Sequence, residues 1–124
     1  MQSPPPALDP GAIAELRTMA GDEPTLVSQI IDCYLQESPS LMAAMREAVS
    51  QQNGAALMRA AHSLKSSSQS LGAIRMAEIC LELEQMGRSG TMASQDQEIA
   101  AAMAQLAAEY HRVETALDLE RDRR

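Results

Sequence analysis

Apolar residues recur at three- and four-residue intervals along most of this 124-residue chain, and only short breaks interrupt them. This spacing is typical of α-helices that bury one face. The breaks contain Gly, Asn or Pro, which commonly begin or end helices. We therefore predict a series of helices joined by short connections. They are expected over residues 9–19, from residue 25, from residue 38, and over residues 54–71, 73–86 and 95–119.

The composition favours the same fold class. Apolar residues make up 45% of the chain, but there are only two Tyr and no Phe or Trp, so aliphatic residues and nine Met must fill the core. The abundant residue types are good helix formers, and few stretches are rich in β-branched or aromatic residues. The length suits a single domain. We predict an all-α fold: an antiparallel four-helix bundle with one or two short N-terminal helices.

The two ends of the chain are expected to lie outside this bundle. Residues 1–8 are rich in proline and are interpreted as a disordered N-terminal lead. Residues 120–124 form a charged tail, which leaves residues 9–119 for the bundle domain. Within it, Ser38 and Pro39 are interpreted as a helix restart, with Ser38 as N-cap and Pro39 in the first turn.

The helix over residues 54–71 has clear end signals. Asn53 is expected to cap its N-terminus, and Gly72 stands where a left-handed residue commonly ends a helix.

The charge of the chain argues against several partners. Ten Lys and Arg oppose seventeen Asp and Glu, which gives a net charge of −7. Nucleic acid and anionic membranes should repel such a chain. No apolar run is long enough to cross a bilayer, and the N-terminus lacks the basic and apolar regions of a signal peptide. We expect a cytoplasmic protein that binds neither nucleic acid nor membranes.

The candidate functional residues surround His62. The buried stripe of its helix is expected to contain Leu57, Ala61, Leu64, Ser68 and Leu71. At about 100° per residue, His62 lies roughly 140° from the centre of that stripe and should face solvent. Six residues lie within about 60° of His62 on the helix, namely Ala55, Met58, Arg59, Lys65, Ser66 and Gln69.

This part of the acidic chain is locally basic. No Asp or Glu occurs between residues 48 and 77, whereas Arg59, Lys65 and Arg75 do. Such a surface favours an anionic ligand or an acidic partner. An exposed imidazole is largely neutral and nucleophilic near pH 7, so His62 could accept a phosphoryl group. The chain has no Gly-rich phosphate loop, so a partner would have to supply that group.

Residues 61–73 resemble the signature of histidine phosphotransfer (HPt) domains, which act in multistep phosphorelays. They read Ala61-His62-Ser63-Leu64-Lys65-Ser66-Ser67-Ser68, followed after two residues by Leu71-Gly72-Ala73. A weaker similarity continues through Met76, Cys80, Leu83-Glu84 and Arg88-Ser89-Gly90. One residue departs from the pattern, because many family members have Gly where Ser66 stands.

The resemblance implies a phosphoryl carrier. His62 Nε2 would accept the group from a receiver-domain aspartate or a hybrid sensor kinase and pass it to a response-regulator aspartate. Lys65 would stabilise the phosphorylated form. The partner surface is assigned to Ala55, Met58, Arg59, Ser66 and Gln69. The chain would bind no ATP, cofactor or metal, would have no autokinase activity, and would rely on Mg²⁺ held by the receiver. We expect a monomer.

Two other functions can be considered for the same pattern. An adaptor bundle that binds a helical partner without phosphorylation would need His62 only as a surface residue. A metal-binding bundle needs Glu-x-x-His pairs, and neither His62 nor His111 has Glu at that spacing. His111 is interpreted as structural or surface. The chain could be a free-standing carrier or the terminal module of a hybrid kinase.

Overall fold

The computed structural model describes residues 5–21, 23 and 25–121, and α-helices account for most of them. There are five in these ranges: α1 (Pro10–Ala20), α2 (Leu26–Ser50), α3 (Gly54–Ser70), α4 (Ile74–Arg88) and α5 (Asp96–Arg121). A short 3-10 turn, Met92–Gln95, precedes α5. None of these ranges contains a strand, and the predicted all-α fold is confirmed.

Helices α2 to α5 form an antiparallel four-helix bundle. Helix α3 packs between α2 and α4, and α5 completes the ring against α4 and α2. Each helix contributes fully buried side chains to one core, among them Ile31, Met45, Leu57, Leu64, Met76, Leu83, Ile99 and Leu106. Burial of each such side chain stabilises the fold by about 1.5–3 kcal/mol. The short α1 packs against α2. Among the described residues, no helix is long and apolar enough to span a membrane.

Helix α2 continues through Ser38 and Pro39, so the predicted restart at this point is wrong. Pro39 is exposed, and the buried Ser38 hydroxyl donates a hydrogen bond to the Tyr34 carbonyl at 2.6 Å. An internal proline costs a helix about 3 kcal/mol or more. The apolar stripe keeps its phase on both sides of the proline, and its burial outweighs that cost. The stripe consists of Val27, Ile31, Tyr34, Ser38, Met42, Met45 and Ala48.

Both predicted ends of α3 are confirmed. The Asn53 side chain accepts a hydrogen bond from the Ala56 N–H at 3.0 Å. After the C-cap at Leu71, Gly72 has φ +76°, a conformation that favours glycine. A Cβ atom on Gly72 would lie 2.6 Å from the Ala12 Cβ, so α1 can pack here only because this residue lacks a side chain.

The chain ends differ in part from the prediction. Ala7 and Leu8 are buried in the core, so the interpretation of residues 1–8 as a disordered lead is wrong for these two residues. Residues 1–4 lie outside the described ranges. Helix α5 extends to Arg121, into the predicted charged tail, and residues 122–124 are again outside the description.

Candidate functional site

Helix α3 presents His62 at its middle, on the face turned away from the core. The neighbouring Ala61 and Leu64 are fully buried, whereas 59% of the His62 side chain is exposed. The solvent exposure predicted from the helical period is therefore confirmed. An exposed imidazole in this position can be reached by another protein.

The residues predicted around His62 share its side of α3 to different degrees. Ala55, Arg59, Ser66 and Gln69 are exposed, and Met58 and Lys65 are half-buried. The structure brings two of them, Met58 and Arg59, into a groove beside the imidazole.

This groove has a volume of about 330 Å³ and runs between α3 and α4. Its lining consists of Met58, Arg59, His62, Ser63, Glu84 and Arg88. Three of the predicted residues, Ala55, Ser66 and Gln69, lie on the helix surface outside that lining. The pocket therefore belongs to two helices, whereas the predicted site residues all lie on one.

Glu84 on α4 is the buried centre of this site. Only 4% of its side chain is exposed, and its two carboxylate oxygens contact three other side chains. Oε1 lies 2.7 Å from Lys65 Nζ. Oε2 accepts a hydrogen bond from Arg88 at 2.9 Å and lies 3.3 Å from His62 Nδ1. Lys65, Arg88 and His62 thus converge on one carboxylate.

The ionisation of Glu84 determines which of the two ring nitrogens of neutral His62 carries the proton. The Lys65 ammonium, which lies 2.7 Å from Oε1, is the main reason that the Glu84 pKa is lowered from its ordinary 4.5, and His62 adds to this while burial opposes it. An ionised carboxylate can only accept hydrogen bonds. His62 Nδ1 must then be the donor, which leaves the lone pair of the neutral ring on Nε2. The site therefore favours the tautomer whose Nε2 carries the lone pair and faces away from Glu84.

Close backbone packing between α3 and α4 brings Glu84 within reach of His62. A Cβ on Gly87 would lie 2.6 Å from the Gly54 carbonyl oxygen, and one on Gly54 would lie 2.5 Å from the Gly87 oxygen. Neither helix could approach so closely with a side chain at these positions. Helix α4 reaches Arg88, two residues beyond the predicted end at residue 86.

Lys65 occupies a different environment from the one expected. From its position on α3, the ammonium is expected to stabilise a phosphoryl group on His62. In the structure only 17% of its side chain is exposed, and the ammonium is paired with Glu84. Its charge in this state is balanced by a buried carboxylate.

Sequence reasoning missed Glu84, Arg88 and Ser63 as site residues. One signal for Glu84 was present, because it lies on the buried stripe of α4 that also contains Ala77, Cys80 and Gly87. A charged residue in an apolar stripe is rarely buried without a partner. Identifying the partner required the packing of α4 against α3.

The described residues contain no group of three or more His, Cys, Asp or Glu side chains arranged to hold a metal ion. The residues at the site that could bind an anion are cationic: Arg59 and Arg88 line the groove, and Lys65 lies beside it.

Comparison with known proteins gives two matches. The model of the Hpt domain family matches residues 29–116, which include the whole of the site described above. The chain is also similar to the crystal structure of histidine-containing phosphotransfer protein B from Pseudomonas aeruginosa PAO1. The two are 28% identical, the alignment covers 98% of this chain and 99% of that chain, and the TM-score is 0.85. No curated protein matches significantly.

Proposed function

The chain belongs to the Hpt domain family and is a histidine phosphotransfer protein of phosphorelays, and on that premise we propose that His62 is its phosphoryl acceptor. His62 accepts the group from the aspartate of a receiver domain, or from a hybrid sensor kinase, and passes it to the aspartate of a response regulator. The observation that carries the proposal is an exposed imidazole whose Nδ1 faces a buried carboxylate.

The transfer step follows from this arrangement. The Nε2 lone pair attacks the phosphorus of the aspartyl phosphate, an N–P bond forms, and the P–O bond to the aspartate breaks. The aspartate carboxylate leaves with the electron pair. The Nδ1 proton stays on the ring, which becomes positively charged, and Glu84 stabilises that charge at 3.3 Å. Transfer to the next aspartate is the reverse reaction.

We assign Glu84 as a positioning residue that acts through His62, as the carboxylate does in a Ser-His-Asp triad. Lys65 supports it by keeping Glu84 ionised. We propose that Lys65 favours the phosphorylated form through Glu84, whose ionised carboxylate stabilises the positively charged ring.

The partner surface is proposed to surround the groove on α3, with contacts from Ala55, Met58, Arg59, Ser66 and Gln69. Acidic side chains are absent between residues 48 and 77, which suits the acidic active site of a receiver. We propose that the receiver supplies Mg²⁺ and that this chain binds neither ATP nor a cofactor. We also propose a monomer that acts in the cytoplasm.

The test uses the purified chain and the receiver domains of its source organism. Each receiver is phosphorylated, mixed with the chain, and the product is examined for phosphate that is labile to acid and stable to base. We expect the wild type and His111→Gln to accept phosphate, and His62→Gln to accept none. His111 is a matched control, because it is an exposed histidine on another helix.

Two results would overturn the proposal. If His62→Gln accepted phosphate at the wild-type rate, the acceptor would lie elsewhere. If no receiver or kinase phosphorylated the wild type, the chain would not act as a carrier. The adaptor function left open by the sequence would then be favoured, although the family match argues against it.

A further inference from the structure

The site holds two cations on one carboxylate, and they differ in their freedom to move. Lys65 is 17% exposed and contacts Glu84 Oε1 at 2.7 Å. Arg88 is 64% exposed and donates to Oε2 at 2.9 Å. Glu84 would keep its buried ion pair with Lys65 if Arg88 moved away, but removal of Lys65 would disrupt the buried pair. Arg88 is therefore the cation that can leave at little cost, since exposed pairs contribute little stability.

Arg88 already faces the space beside the proposed acceptor. Its side chain lines the same groove as His62, and the two share the oxygen Glu84 Oε2 as partner. The groove volume of about 330 Å³ accommodates a phosphoryl group. A planar guanidinium can donate two parallel hydrogen bonds to phosphoryl oxygens, which a lysine ammonium cannot do with the same geometry.

We propose that Arg88 is the phosphoryl-binding residue of this site: on phosphorylation its guanidinium leaves Glu84 Oε2 and binds the group on His62. This inference rests on the proposed function. In the unphosphorylated chain, Glu84 Oε2 contacts both Arg88 and His62 Nδ1. Once Arg88 has moved to the phosphoryl group, Oε2 accepts a hydrogen bond only from Nδ1, while the ring carries its positive charge. Arg88 thus balances the phosphoryl charge, and Glu84 balances the ring.

The first experiment separates phosphoryl binding from partner docking. The wild type, Arg88→Gln and Arg75→Gln are phosphorylated with phosphoramidate, a small donor that transfers its phosphoryl group to His62 and releases ammonia. Arg75 is the matched control, because it lies on the same helix but contacts Glu78 and Gln105 and does not line the groove. We expect Arg88→Gln to react about five- to tenfold more slowly, and Arg75→Gln to match the wild type.

The second experiment uses only the wild-type chain, so it does not depend on the folding of a variant. The chain is labelled with ¹⁵N, its arginine Nε–H signals are assigned, and spectra are recorded before and after phosphorylation. We expect the Arg88 signal to move downfield on phosphorylation, as for a donor that gains a phosphate acceptor, and the Arg75 signal to stay in place.

The outcomes distinguish this inference from the proposed function. A wild-type chain that no donor phosphorylates on His62 overturns the proposed function. A chain phosphorylated on His62 whose Arg88 signal does not shift overturns only the role of Arg88. A loss in Arg88→Gln that is confined to receiver donors and absent with phosphoramidate assigns Arg88 to partner docking, and that result also overturns the inference.

Discussion

Replacement of Gly87 by alanine should destabilise the chain, although alanine is the better helix former. In a helix interior this change normally stabilises by about 0.5–1 kcal/mol, and Gly87, in the last turn of α4, would gain at most that amount. At Gly87 the new Cβ would lie 2.6 Å from the Gly54 oxygen and 2.9 Å from the Met58 nitrogen. Both are backbone atoms, so α3 and α4 must separate, and such overpacking costs about 1–3 kcal/mol. The steric cost outweighs the propensity gain, and we expect a net loss on the order of 1–2 kcal/mol.

The assay is urea unfolding followed by far-UV circular dichroism, with Gly11→Ala as the control. Gly11 also lies in a helix, but its new Cβ would meet only the Asp9 carboxylate at 3.4 Å, an ordinary contact. We expect this control to be neutral or up to about 1 kcal/mol more stable. If Gly87→Ala were as stable as the wild type, close backbone approach would not determine the α3–α4 spacing, and the account of how Glu84 reaches His62 would fail with it.

Three further predictions concern other parts of the fold. Gly72→Ala should lose about 1–3 kcal/mol in the same assay, because φ +76° is strained for alanine and the Cβ would meet Ala12 at 2.6 Å. Pro39→Ala should raise the midpoint of thermal unfolding, with a gain of up to about 3 kcal/mol, because α2 regains a backbone donor at an exposed position; an unchanged midpoint would contradict this. The Glu84 pKa is lowered from 4.5, so the stability from its ionised form is present above that pH and lost as the pH falls through the folded-state pKa. The wild type should therefore lose more unfolding free energy on acidification than Glu84→Gln, as measured by urea titration across that range; equal losses would show that Glu84 is not responsible.

The parts of the fold that local signals determine could be predicted from sequence. The limits of α3 depend on Asn53, whose side chain caps the first turn, and on Gly72, which adopts the left-handed conformation. The exposure of His62 follows from the helical period and from the burial of its neighbours. In each case the determining atoms lie within a few turns of the residue concerned.

The prediction for α2 was wrong because a local signal conflicted with tertiary packing. Ser38 followed by Pro39 is a common helix start, and no nearby residue argues against it. The continuous buried stripe argues against a helix start at this point, because Met42 and Met45 lie on the same face of α2 as Ile31. Local and tertiary preferences disagree here, and the buried surface is worth more than the lost hydrogen bond.

The site itself could be predicted only for α3. Glu84 lies 22 residues from His62 in the sequence, and nothing in the local pattern joins them. Their contact depends on how closely α4 approaches α3, which two glycines permit. The environment of Lys65 depends on the same packing. Its position on α3 predicts that its charge is near the phosphoryl group, but does not reveal that its ammonium pairs with Glu84 on α4.

The charge of the assembled site bears on how a carrier can both attract and release an acidic partner. Arg59, Lys65 and Arg88 contribute three positive charges and Glu84 one negative charge, so the site has a net charge of +2 while the ring of His62 is neutral. A phosphoryl group adds roughly −1.5 to −2, and the ring gains +1 when it is phosphorylated, so the charge of the site falls by roughly 0.5 to 1. On the proposed function, the patch attracts an acidic receiver before transfer, and this attraction falls once the phosphoryl group has been bound. The charged residues of the site therefore favour association with the donor before transfer and dissociation from it afterwards. They do so although the chain as a whole carries a charge of −7.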